Sequence, residues 1–270
     1  MALVLMLVAM GCTTTPESKI ITIENGHFMR NGQPYYFVGT NFWYGAILGS
    51  EGEGGDRERL AKELDFMKAH GIDNLRVLIG GEGENGLLGK IEPNLQPKPG
   101  EYNDEVLAGL DYLLMELGKR DMTAVLYFNN AWEWSGGYTQ YVAWANNEPV
   151  LVPRVDGWFS YNTFAGEFVR NERAKELYYN HVRYIVTRTN RYTGIKYIDD
   201  PAIFSWQISN EPRAFSSKEQ DNKEAFAEWI TTSAKLIREL DPNHMISTGS
   251  EGYYGCEWDM ELCEKIHAID

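Results

Sequence analysis

Five times between Tyr35 and His267 the chain repeats one pattern: a short apolar run, an exit of polar or aromatic residues, then a stretch with helical spacing. The runs are Tyr35 to Thr40, Asn74 to Ile79, Met122 to Phe128, the stretch opening at Ile203, and Met245 to Thr248. The helical stretches are Arg57 to His70, Asp104 to Arg120, Asn171 to Asn190, Asn222 to Leu240 and Asp259 to His267. Leu60, Leu64 and Met67 mark the first of these, and Leu107, Leu110, Leu114 and Leu117 the second. Strict alternation predicts parallel strands joined by crossover helices. A doubly wound sheet would carry a glycine-rich phosphate turn after its first strand. Here that strand runs into Phe42-Trp43-Tyr44 instead. The expected fold class is therefore α/β: a (β/α)8 TIM barrel, incomplete, with about five of the eight units. Residues 19–270 form the barrel segment and 1–18 a leader and linker.

Ahead of the first strand, Asn25-Gly26 and Asn31-Gly32 predict two tight turns of a small hairpin. Met1 to Met10 is apolar but too short to span a bilayer. Gly11-Cys12 and a polar stretch follow, which resembles a bacterial lipoprotein signal with Cys12 as the lipidated residue. Export to the cell envelope or outside the cell is the expectation. The net charge of −14, with no basic cluster, argues against nucleic acid and anionic membrane surfaces as partners. A membrane would be reached only through Cys12. A monomer acting on a neutral ligand is expected.

The chemistry gathers at the strand exits, as it does at the C-terminal lip of barrel strands. Ile203-Phe204-Ser205-Trp206 reads as a buried strand that stops at Asn210-Glu211-Pro212. Pro212 cannot continue a ladder and biases Glu211 toward an extended backbone. A carboxylate beside an amide results. Arg76 is unusual inside an apolar run, and a buried arginine needs a partner, either carboxylates in the barrel mouth or a structural ion pair. The connection from Asn129 to about Phe168 is long and aromatic, with Tyr138, Tyr141, Trp144, Trp158 and Tyr161, and reads as a wall of a binding cleft. Gly81-Glu82-Gly83-Glu84-Asn85-Gly86 fits a dinucleotide fingerprint, but two glutamates would face the pyrophosphate and prolines follow where a helix should start.

Cys256 and Cys263 are seven residues apart. On one continuous helix they stand roughly 10 Å apart, too far for a disulfide. A bridge requires Cys256 to lie in the loop before the helix. The five histidines (His27, His70, His181, His244 and His267) show no ligand spacing, so no metal and no cofactor are expected.

Several segments together resemble glycoside hydrolase family 5, and within it the endo-β-1,4-mannanases. They are Gly39 to Tyr44, Asn74-Leu75-Arg76, Asn129 to Trp132 with Gly136-Gly137-Tyr138, Trp206 to Arg213, and Gly249 to Gly252. The resemblance implies retaining hydrolysis of internal bonds in mannan, glucomannan or galactomannan by two glutamates. It makes Glu211 the acid/base and Asn210 the partner of the reacting sugar's C2 hydroxyl. Arg76 would orient the nucleophile, and Trp43, Tyr44 and Trp132 would contact the substrate. The family's nucleophile lies two barrel units beyond the last strand of this chain, so the 270 residues alone are expected to be inactive and poorly stable. Glu251 is present near Glu211 but does not match the nucleophile motif; a carboxylate supporting the site is its ordinary role. A β-glucanase and a non-catalytic glycan-binding lipoprotein are the competing readings.

Overall fold

A computed structural model describes residues 20–268. The leader and Cys12 lie outside the described residues. A three-stranded antiparallel hairpin sheet comes first: β1 (Thr22–Glu24), β2 (His27–Arg30) and β3 (Gln33–Pro34). Asn25, Gly26, Asn31 and Gly32 all have positive φ, as the two Asn-Gly turns require. The main sheet has β4 (Gly39–Asn41), followed by α1 (Gly45–Leu48) and α2 (Arg57–Ala69), then β5 (Asn74–Leu78) and α3 (Asp104–Lys119). Next come β6 (Thr123–Tyr127), α4 (Gly137–Asn146), α5 (Pro153–Asp156), α6 (Trp158–Gly166) and α7 (Glu172–Val186). The series ends with β7 (Ile203–Gln207), α8 (Lys223–Leu240), β8 (Met245–Ser247) and α9 (Met260–His267).

The five strands are all parallel and stand in chain order, β4-β5-β6-β7-β8. No strand order reverses within this sheet, so it lacks the switch point of a doubly wound fold. It is an open arc of consecutive β/α units. Central strands β5 and β6 are buried except at their middle residues, Arg76 and Val125. The leucines that mark α2 and α3 are buried against these strands.

Two expectations change. The first strand is shorter than Tyr35–Thr40 and is not buried: Tyr36 and Val38 are exposed, and β4 itself is largely open. The reason is position, since among the described residues β4 pairs only with β5 and forms one edge of the arc. The residues before it serve the hairpin, where the rings of Phe28 and Phe37 meet Phe204 at 5.2 and 5.0 Å.

The long aromatic connection is mostly core rather than a wall of the cleft. Tyr138, Tyr141 and Tyr161 are fully buried, because α4 packs on α7 and α6 packs on α4. Tyr138 stacks on Phe168 at 4.3 Å and meets Trp229 edge-on at 5.5 Å. Trp158 and Phe159 are the exposed part. Among the described residues, no helix is long and apolar enough to cross a membrane.

Candidate active site

Strand pairing continues past the end of β7, and this positions the site. The Asn210 N–H donates to the Asn129 carbonyl (2.8 Å), and the Ala131 N–H to the Asn210 carbonyl (3.1 Å). On the other side the Glu211 N–H donates to the Gly249 carbonyl (3.0 Å). Held from both neighbouring strand exits, Glu211 takes φ +49°, in the left-handed region. That corrects the extended backbone expected before Pro212. Such a conformation costs about 1–3 kcal/mol for a residue with a side chain and persists only where its surroundings fix it. Gly249 supplies part of that fixing: it has φ +79°, and a Cβ there would sit 1.9 Å from the Ser209 carbonyl oxygen.

The Glu211 carboxylate is half-buried, and its Oε2 accepts a hydrogen bond from Trp132 Nε1 at 2.5 Å. One amide joins both residues to Asn210: Asn130 Oδ1 accepts from the Asn210 side-chain Nδ2 (2.9 Å) and from the Trp132 N–H (3.2 Å). Asn130 is itself held by Ser135 (3.1 Å). Asn210, Glu211 and Trp132 are therefore one hydrogen-bonded unit spanning two strand exits.

Arg76 lies on the same face of the sheet. Its Nε donates to Gln207 Oε1 (2.7 Å), and its guanidinium sits 4.2 Å over the Tyr127 ring. Gln207 continues to Ser247 (3.1 Å), so β5, β6, β7 and β8 are linked across this face. Burial lowers the Arg76 pKa, opposed by the charges of Tyr127 and Glu211. Neither partner expected from the sequence is bonded to Arg76: its hydrogen bond goes to a glutamine amide, and no carboxylate among the described residues forms an ion pair with it.

Arg213 was quoted in the motif without a role, and the structure gives it one. It forms a two-pronged ion pair with Glu251 (2.6 and 2.8 Å) while lying over the rings of Trp132 (4.7 Å) and Tyr254 (4.5 Å). Glu251 is thus occupied in placing Arg213 on the back of Trp132. The signal for this pairing was weak, because the two residues are 38 apart in the chain.

Trp43 and Tyr44 separate. Trp43 meets Trp134 edge-on at 5.6 Å, which puts it against the loop that carries Trp132. Tyr44 turns to the helix layer, donating to Glu63 Oε2 of α2 (3.1 Å) with Arg59 over its ring. The two residues form the turn between β4 and α1, with Tyr44 (φ −81°, ψ 3°) as the N-cap of α1, and the turn sends their rings in different directions. Trp206, the tryptophan flanking the motif, is fully buried, donating to Asp241 Oδ2 (2.7 Å) and stacking on Phe128.

Glu82 was set aside with the rejected glycine pattern. It is fully buried and accepts from the Gly137 N–H (2.9 Å) and the Tyr141 hydroxyl (3.4 Å). Burial raises its pKa to about 7, and burial lowers that of its neighbour Lys90 to about 8. The pair anchors the turn after Trp132. Gly137 there has φ +59°, and a Cβ would stand 2.1 Å from the Asn130 carbonyl oxygen, so this turn takes no side chain.

Cys256 and Cys263 are free thiols, with Cys256 in the turn before α9. The statement that no histidine has ligand spacing is corrected at one place. His267 follows Cys263 by four residues on α9, and one ligand atom each from Cys256, Cys263 and His267 lies within 4.8 Å of the others.

A family model described as "GH family 5 beta-mannosidase-like" matches residues 18–270. The chain is 29% identical over 255 residues to a putative mannan endo-1,4-beta-mannosidase of Arabidopsis thaliana, covering 94% of this chain and 57% of that protein. A counterpart from Oryza sativa is 32% identical, with 86% and 53% covered. A crystal structure of a glycoside hydrolase family 5 mannosidase from Rhizomucor miehei, in complex with mannosyl-fructose, superposes with a TM-score of 0.84 at 33% identity. It matches 94% of this chain and 60% of its own. The chain spans little more than half the length of the relatives it matches. The arc of five β/α units is that much of a (β/α)8 barrel, and the chain belongs to glycoside hydrolase family 5, in its β-mannosidase-like group.

Proposed function

We propose that the protein carrying this chain is a retaining endo-β-1,4-mannanase, acting on mannan, glucomannan or galactomannan, and that this chain supplies its acid/base. The observation that carries the reading is the Glu211 carboxylate, fixed at the exit of β7 by the Trp132 indole and bonded through Asn130 to Asn210. In this mechanism Glu211 protonates the leaving sugar oxygen, then takes a proton from the water that releases the glycosyl-enzyme. Asn210 holds the C2 hydroxyl of the reacting sugar, while Trp132 and Trp43 offer ring faces to the chain. The nucleophile belongs to a strand outside the five described, and Arg76 faces the place where it would stand. Export, with Cys12 as a lipid anchor, is part of the same proposal.

The names of the plant relatives support mannan as the substrate class. A second reading, action on a short mannoside rather than a polymer, is supported by the Rhizomucor miehei mannosidase, whose structure is in complex with mannosyl-fructose. The test is product analysis on mannan, cellulose and mannobiose with the full-length protein and its Glu211→Gln variant. Early release of mixed oligosaccharides from mannan, reduced roughly 10²–10⁴-fold in the variant, is expected. Hydrolysis of mannobiose in preference to mannan would favour the short mannoside. Stronger reducing-sugar release from cellulose would move the substrate to glucan, and glycan binding without hydrolysis would make the protein a binding module.

A further inference from the structure

We propose that Cys256, Cys263 and His267 form a binding site for a soft d10 cation, with Zn2+ as the type, which clasps the loop after β8 to α9. Cys263 and His267 are one turn apart on α9, so their side chains share a face of the helix. Cys256 reaches that face because the chain before α9 is tightly wound. The Cys256 N–H donates to the Gly252 carbonyl (3.2 Å), the Asp259 N–H to the Cys256 carbonyl (3.0 Å), and the Cys263 N–H to the Asp259 carbonyl (3.0 Å). Asp259 caps the helix by accepting from the Leu262 N–H (3.1 Å). The three ligand atoms lie within 4.8 Å of one another, and Sγ of Cys263 is 3.7 Å from Nδ1 of His267. Zinc bonds of about 2.3 Å to sulfur and about 2.0–2.1 Å to nitrogen in a tetrahedron separate such atoms by roughly 3.5–3.8 Å. Binding therefore needs a contraction of about 1.3 Å at most.

The donor set decides the cation. Two sulfurs and an imidazole favour Zn2+ or Cu+ and disfavour Mg2+ and Ca2+, which seek oxygen ligands. His267 is also the last residue of α9, where helix carbonyls favour positive charge. Coordination through Nδ1 replaces its bond to the Cys263 carbonyl (2.7 Å). Each thiol gives its proton to solvent as its sulfur–metal bond forms. Cys256 is fully buried while Cys263 is half-buried and His267 exposed, so the fourth position opens to solvent and takes water. The clasped loop carries Glu251 and Tyr254, the two partners of Arg213 behind Trp132. The inference does not depend on the mannanase reading.

The experiment uses the full-length protein, reduced and kept free of oxygen. Titration with Co2+ should give one tetrahedral thiolate-bound ion per chain, displaced by Zn2+, and Zn2+ should raise Tm reversibly to EDTA. Cys263→Ser should lose the charge-transfer band and the Tm rise, while its circular dichroism stays that of the parent. His267→Ala should weaken binding at least tenfold. The proposal is overturned if the reduced chain binds no stoichiometric Co2+, or if binding survives in Cys263→Ser. It is also overturned if both thiols are lost to a Cys256–Cys263 disulfide in protein purified under air with zinc present.

Discussion

At the scale of single residues, the site turns on which atoms are already engaged. Trp132 Nε1 holds one oxygen of Glu211, and in the proposed mechanism the other meets the substrate oxygen. A hydrogen bond to a charged group contributes about 1.5–3 kcal/mol. Trp132→Phe keeps a ring face for the sugar but removes the donor, so kcat/KM of the full-length protein should fall roughly 10–100-fold. A steady-state comparison on mannohexaose checks this, with KM changing less than kcat. The placement of Glu211, Asn210 and Trp132 at neighbouring strand exits was legible because each exit carries a polar or aromatic signature, and there they form one hydrogen-bonded unit. Tyr44 was misplaced because sequence order alone does not say which of two adjacent aromatics faces the cleft. Arg213 and Glu82 were missed for a common reason. Their partners lie 38 and 55 residues away, and no local periodicity announces a buried ion pair or a carboxylate that anchors a turn.

At the scale of elements, buried polar groups tie strand exits and helices together. Glu82 is raised by burial from 4.5 to about 7, so the native chain binds a proton that the unfolded chain has lost over that range. Its contribution is therefore complete below 4.5 and is lost as pH rises toward 7. Lys90 acts the other way: lowered from 10.5 to about 8, it makes stability rise with pH between those values. Urea unfolding of Glu82→Gln and the parent should show the variant gaining relative stability as pH rises from 4.5 to 7. A constant difference would contradict this account of Glu82.

A second tie joins α3 to the chain after α7. Asp111, fully buried, accepts from Arg188 (3.0 and 2.6 Å) and from the Tyr197 hydroxyl (2.6 Å). Removing one partner of a buried pair costs about 3–5 kcal/mol. Asp111→Ala should lower Tm by roughly 10 °C in calorimetry. The helices α2, α3, α7, α8 and α9 were legible almost to their ends, since their apolar faces and caps are local, whereas α1, α4, α5 and α6 were not expected. The burial of the 129–168 connection was not legible, because an aromatic loop reads the same whether its rings line a cleft or fill a core.

At the scale of the whole molecule, the arc of five strands has two edges, β4 and β8, each paired on one side only among the described residues. Exposed strand edges recruit other strands. The 270-residue chain expressed alone should self-associate with increasing concentration in sedimentation velocity and show a broad thermal transition. The full-length protein should sediment as a monomer. The alternation of strand and helix made the barrel class legible because it is a rule about connections rather than about single residues.

The central claim is that Glu211 donates and accepts the proton at the glycosidic oxygen. Its most direct test is Glu211→Ala in the full-length protein, assayed on mannan and on an aryl β-mannoside whose leaving group needs no proton. The account predicts a loss of roughly 10²–10⁴-fold on mannan and a much smaller loss in the glycosylation step on the aryl substrate. Added azide should restore turnover and yield β-mannosyl azide. Equal losses on both substrates, with no azide product, would contradict it.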